Sequence, residues 1–120
     1  MVEGTPREVH PTVQANLLSI AREALLNAFR HARAKSVELD IDYSQRVLLL
    51  RVRDNGVGLD SKLLIEGRRP GHYGLPGMRE RAKSIGGKFE FWSRIQQGTE
   101  VEVTVPGAIA FKSPSDSDLE

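Results

Sequence analysis

The sequence contains no cysteine, which excludes disulfides, thiol catalysis and cysteine-ligated metal sites. Its three histidines are widely spaced and make no zinc-binding pattern. No apolar run approaches the roughly 18 residues needed to span a bilayer, and no signal peptide is visible at the start. An excess of either charge is also missing: Lys plus Arg is 17, Asp plus Glu is 16, and the net charge is +1. That balance gives no broad electrostatic case for nucleic acid or an acidic membrane and leaves only local patches. The opening "MVEG" starts no obvious element, as expected for a piece excised from a larger protein.

What is present suits one soluble domain with a modest core: 120 residues, 39% hydrophobic and 28% charged. Residues 1–13 hold two prolines and little periodicity and read as a loop. Residues 15–33, "ANLLSIAREALLNAFRHAR", read as a long helix. Its apolar stripe runs through Leu17, Leu18, Ile20, Ala21, Ala24, Leu25, Ala28 and Phe29, with Asn16 as a possible cap. "KSVELDID" and "QRVLLLRVR" alternate apolar and polar residues across a short connection, which predicts an antiparallel hairpin. A short helix over 60–65 and a glycine-rich basic loop over 66–74 follow. "LPGMRERAKSIG" reads as a second helix, with Pro76 in its first turn and Gly86 and Gly87 ending it.

"KFEFWSR" and "TEVEVTVP" predict a second hairpin, and "FKSPSDSDLE" has no apolar period. The expected architecture is therefore α/β: a two-layer sandwich with helices packed on one face of a mixed, largely antiparallel sheet. Its domain occupies 1–108, and 109–120 form a flexible polar tail.

Two features point to chemistry. The long helix carries Glu23, Asn27 and His31 at intervals of four, with Arg30 beside them, bordering the apolar stripe. Such a row is often only a solvated helix face, and His31 also suits a helix-end role. Facing a ligand, the amide and carboxylate oxygens would instead hold a hard cation and its waters beside phosphates, as Mg²⁺ prefers.

The other feature is glycine-rich. "DNGVG" breaks a strand, and "GHYGLPGM" leads into a helix whose free N–H groups can meet an anion. Neither fits the P-loop or the dinucleotide fingerprint; Gly58 alone serves equally well in an ordinary turn, and Gly74 in relieving crowding. Asp54, at a strand end, can accept a hydrogen bond from an exocyclic amine such as adenine's. Gly56 and Gly58 would let the backbone pass a flat base. Arg68, Arg69, His72 and Tyr73 would line a phosphate-facing loop, although the arginines also suit plain solubilising charge. Thr99 offers a hydroxyl, or only β propensity.

Four blocks, "REALLNAFRHARA", "DNGVG", "GHYGLPGMRERA" and "GTEVEVTVP", occur in this order. Together they resemble the ATP-binding domain of bacterial sensor histidine kinases, in the subgroup with a short lid that includes nitrate sensors, over residues 14–106. The resemblance implies the GHKL ATPase/kinase (Bergerat) fold shared with type II topoisomerases, Hsp90 chaperones and mismatch-repair ATPases. It assigns Mg²⁺ binding to Asn27, and to Glu23 a place near the metal's water and the terminal phosphate. Arg30 then lies near the phosphates, with His31 beside it. Asp54 receives the adenine amino group, in a pocket shaped by Gly56 and Gly58. His72 belongs to the lid. Gly74, Leu75, Gly77 and Met78 form its hinge and helix start, and Gly98 and Thr99 support the adenine side.

The implied reaction moves the ATP γ-phosphoryl group to a histidine, then to an aspartate on a response regulator, commonly one with a DNA-binding output. A mobile lid would gate it. The acceptor histidine of such kinases sits on a dimeric helical hairpin that this sequence does not contain. His10, His31 and His72 each lie in the wrong context for that role. The expectation is a monomeric fragment that binds ATP and does not phosphorylate itself efficiently. It would face the cytoplasm, even in a homodimeric parent anchored in the inner membrane. Its opening strand is expected to be truncated or reduced. Two further readings stand beside this one: a serine kinase of the anti-sigma-factor type, and a nucleotide-sensing or interaction domain without phosphotransfer.

Overall fold

A computed structural model describes residues 1–30, 33–57, 74–94 and 96–113. The elements in chain order are β1 (Val2–Gly4), α1 (Pro11–Arg30), β2 (Val37–Tyr43), β3 (Val47–Asp54), α2 (Leu75–Ser84), β4 (Lys88–Arg94), β5 (Gly98–Pro106) and α3 (Gly107–Ala110). The helix over 60–65 expected from the sequence, and all of the expected 66–74 loop but Gly74, lie outside the described residues, as do His31 and Gly58; His72 falls within that loop.

The five strands form one mixed sheet in the order β1-β2-β3-β5-β4. β1 runs parallel to β2, and every other pair is antiparallel. Alternation sorts the two faces. Leu48, Leu50 and Val52 of β3, with Val101, Val103 and Val105 of β5, are buried toward the helices. Against them α1 lays Val13, Leu17, Ile20, Ala21, Ala24 and Ala28, and α2 adds Met78 and Ala82. Ile20, Val103 and Val105 have no exposed surface, and full burial of such a side chain contributes about 1.5–3 kcal/mol.

Several sequence expectations are corrected here. The helix begins at Pro11, not at residue 15, because proline suits a first-turn position where no intrahelical N–H bond is needed. Asn16 therefore lies inside α1, where its Nδ2 donates to the Thr12 carbonyl at 2.8 Å, and it does not cap the helix. Leu18 and Phe29, placed in the apolar stripe, are 62% and 61% exposed. Residues 2–4 are a strand, not loop: β1 is short but present, and its parallel pairing to Ile41–Tyr43 is a long-range contact that no local pattern marks.

The expected tail also starts too early. Ala110 and Phe111 are buried in the main core, and Val9 bridges Phe111. Tyr43 stacks on the Phe111 ring at 6.3 Å, and the Arg7 guanidinium lies over the same ring at 4.2 Å from its centroid. These contacts bring 109–113 into the folded body.

Candidate nucleotide site

The site is built where the inner face of the sheet turns polar. β3 reads Leu48, Leu50, Val52 and then Asp54 on the helix side; β5 reads Val105, Val103, Val101 and then Thr99. The antiparallel register pairs Leu50 with Val103, Val52 with Val101 and Asp54 with Thr99. On the next strand Ser93 is the partner of Thr99, and their hydroxyl oxygens are 2.9 Å apart. Asp54, Thr99 and Ser93 thus form a polar row across three strands at one end of the sheet.

Asp54 is half-buried, and the Gly56 N–H donates to its Oδ1 at 2.8 Å. Burial raises its carboxyl above the usual aspartate range, opposed by hydrogen bonds from the Gly56 and Thr99 backbone N–H groups. The turn after it is fixed by Asn55, whose Oδ1 accepts the Lys35 and Ser36 N–H groups at 3.0 and 2.9 Å. The Asn55 N–H returns a bond to the Ser36 carbonyl. This clamp ties the turn to the segment that leaves α1, so the C-terminal end of α1 and the polar row share one end of the domain.

On α1, Glu23 and Asn27 are buried, at 5% and 7% exposure, while Arg30 ends the helix at the surface. The row expected from spacing is therefore not a solvated face: two of its members leave water. Gly74 and Gly77 are half-buried at the start of α2. Leu75 packs on Phe89 and Phe91, and Met78, 1% exposed, is a core residue, so both fix the helix start by packing. β4 pairs with β5 from Lys88–Thr104 to Arg94–Gly98, which brings the start of α2 toward the Asp54 end.

Gly98 is required by shape. Its φ is +92°, and a Cβ there would stand 2.1 Å from the Asp54 carbonyl oxygen. Only a residue without a side chain lets β5 begin directly beside Asp54. Ser93 and Asn55 are the residues that sequence reasoning missed. Asn55 sat inside the quoted "DNGVG", but its partners are about 20 positions away, at Lys35 and Ser36. Ser93 gave no local signal beyond its inward parity in "KFEFWSR".

The donor set suits an adenine nucleotide. A half-buried carboxylate at a strand end is an acceptor for an amine donor, and buried Glu23 and Asn27 place oxygen ligands on the helix that closes the same end. No cluster of three or more His, Asp or Glu side chains suited to a metal occurs among the described residues. A broad hollow of about 760 Å³ beside Asp54 and Thr99 opens mainly over the outer face, past Arg53, Trp92 and Glu100. Side-chain parity directs Asp54 and Thr99 to the opposite, helix-facing side.

The family model of histidine kinase-, DNA gyrase B- and HSP90-like ATPases matches residues 12–109. The chain belongs to this family. Its relatives include the sensor histidine kinase YdfH of Bacillus subtilis, 41% identical over 93 residues, covering 76% of this chain and 22% of that protein. The nitrate/nitrite sensor protein NarX of Escherichia coli is 40% identical over 100 residues, covering 82% and 16%. The chain thus spans about a fifth of the length of these curated relatives.

Among solved structures, the histidine kinase domain of the Erythrobacter litoralis EL346 blue-light activated histidine kinase superposes with a TM-score of 0.67 at 20% identity, covering 89% of this chain and 50% of that one. The ATP binding domain of PrrB from Mycobacterium tuberculosis gives a TM-score of 0.61 at 24% identity, covering 78% and 68%. The α/β fold with its five-stranded mixed sheet is that of histidine kinase ATP-binding domains. The chain is thus a domain of the histidine kinase-, DNA gyrase B- and HSP90-like ATPase family, similar in sequence to part of curated sensor histidine kinases.

Proposed function

We propose that this domain binds ATP with Mg²⁺ and supplies the γ-phosphoryl group to a histidine on a dimerisation hairpin of its parent kinase. The phosphoryl group then passes to an aspartate of a response regulator with a DNA-binding output. The observation that carries this reading is Asp54: a half-buried carboxyl held by two backbone N–H groups, in register with Thr99, at the end of the sheet that α1 closes with buried Glu23 and Asn27.

Asp54 accepts the adenine amino group, and Gly56 and Gly58 let the backbone lie against the base. Thr99 offers its hydroxyl on the same side. Asn27 contributes a metal-binding oxygen, and Glu23 orients a water near the terminal phosphate. Arg30 and His31 offset phosphate charge, and His72, Gly74 and Gly77 contribute to nucleotide binding. Bound Mg²⁺ supplies charge neutralisation on the phosphates. What the chain adds is positioning and electrostatic complementarity, the terms that dominate phosphoryl transfer.

The isolated domain is a monomer that faces the cytoplasm, and its parent dimerises through the hairpin. No described helix is long and apolar enough to cross a membrane. Calorimetry with ATP, ADP and GTP, with and without Mg²⁺, tests the reading. Adenine-selective binding that Mg²⁺ strengthens for ATP is expected. Asn27→Ala should weaken Mg²⁺–ATP and spare metal-free ADP. A folded sample that binds no adenine nucleotide overturns the reading.

A further inference from the structure

We infer that Ser93 is a positioning residue for base selectivity, setting the direction in which the Thr99 hydroxyl points its proton; this rests on the ATP-binding reading above. The two residues are register partners on β4 and β5, and Thr99 is in turn the partner of Asp54 on β3. Thr99 is 6% exposed, so its hydroxyl cannot rely freely on bulk water. Its Oγ1 lies 2.9 Å from Ser93 Oγ.

A hydroxyl carries one proton and two lone pairs, so the Ser93–Thr99 contact can run in either direction. In one, Ser93 donates to the Gly98 carbonyl, at 3.4 Å, and accepts from Thr99. Thr99 then offers a ligand only lone pairs. In the other, Ser93 donates to Thr99 and frees the Thr99 proton for an acceptor in the site. The Gly98 contact is the weaker of these two bonds, because 3.4 Å is beyond the usual O–H···O range.

An adenine edge presents an amine donor next to a ring-nitrogen acceptor. It needs a protein acceptor beside a protein donor. Ionised Asp54 is acceptor-only. Thr99, with Ser93 donating into it, supplies the donor, either to the ring or to a water the ring holds. Hypoxanthine presents the reverse pattern, an oxo acceptor beside an N–H donor. The hydroxyl pair therefore favours adenine through a residue that does not itself touch the base.

The test is calorimetry of ADP and inosine diphosphate on the wild type, Ser93→Ala, Thr99→Val and the double variant. Ser93→Ala is expected to weaken ADP by about threefold to tenfold and inosine diphosphate less, so the selectivity ratio narrows. Ser93→Thr, which keeps the hydroxyl, should restore it. The double variant should bind ADP no more weakly than Thr99→Val, since Ser93 acts only through Thr99. Unchanged ADP affinity and selectivity in a folded Ser93→Ala protein overturns the inference, as do losses that multiply in the double variant. Should Ser93→Ala not fold, Ser93→Cys, similar in size but a weak donor, must show the narrowed ratio or the inference falls. Wild type that binds neither nucleotide overturns the ATP reading itself, whereas ADP binding insensitive to Ser93 overturns only the hydroxyl-pair role.

Discussion

The two faces of the sheet treat polar residues in opposite ways, and β5 carries both. Its outward residues Glu100 and Glu102 are half-exposed and meet Arg51 of β3, with Arg51 Nη2 3.0 Å from Glu102 Oε2. Arg53 extends the ladder to Glu38 and Asp40 of β2. These charges stay solvated and largely cancel, so each pair contributes little to stability. On the inward face the same strand is apolar through Val105, Val103 and Val101, then ends in buried Thr99 beside Asp54. A carboxyl whose burial disfavours its charge is a cost to the fold. The outer polar residues suit solubility; the inner ones make sense as groups kept for a ligand.

The largest test of that contrast is at Gly98. Gly98→Ala forces a Cβ to within 2.1 Å of the Asp54 carbonyl oxygen at a φ of +92°. A loss of about 3 kcal/mol or more is expected in chemical denaturation, and an unchanged midpoint would show that β5 does not begin hard against Asp54. Next comes Asp54→Ala, which should weaken ADP by about 1–3 kcal/mol whether or not Mg²⁺ is present. Equal affinity in the intact fold would remove Asp54 from base recognition.

The pH dependence sharpens the comparison further. The folded-state pKa of Asp54 is raised, so its contribution to stability is fully present below the ordinary aspartate pKa and is lost as pH rises through the folded value. Relative to Asp54→Asn, the wild type should therefore lose stability across that window and level off above it. Denaturation of both proteins at stepped pH reads this directly, and a wild type that gains stability there contradicts the burial argument. ADP affinity should move the other way, rising as Asp54 ionises. The smallest effect belongs to the outer face: Arg53→Ala should cost about 0–1 kcal/mol, shrinking as salt is added, with nucleotide affinity unchanged. A larger, salt-insensitive loss would mean that the outer ladder is structural after all.

Much of this was legible before the structure. Helical spacing placed Glu23 and Asn27 on one side of α1, and period-two alternation marked four of the five strands. The turn at Asp54 stood out because an acid, an amide and a glycine interrupt a clean strand. What escaped was non-local. β1 is three residues whose only reason to be a strand is its pairing with β2. Phe111 reads as the start of a polar tail until Val9, Tyr43 and Arg7 are seen around it. Leu18 fits the stripe by spacing, yet the sheet does not reach it.

The sequence by itself determined the periodicities, the strand-breaking turn and the residue types that can hold a base, a metal and phosphates, because these depend on neighbours a few positions apart. The tertiary structure decided which of them meet. Antiparallel register set Asp54 against Thr99 and Thr99 against Ser93, and the clamp from Asn55 to Ser36 brought the end of α1 to the same edge. Such pairings depend on where distant segments pack, since a one-residue slip in register would turn the whole polar row to the opposite face.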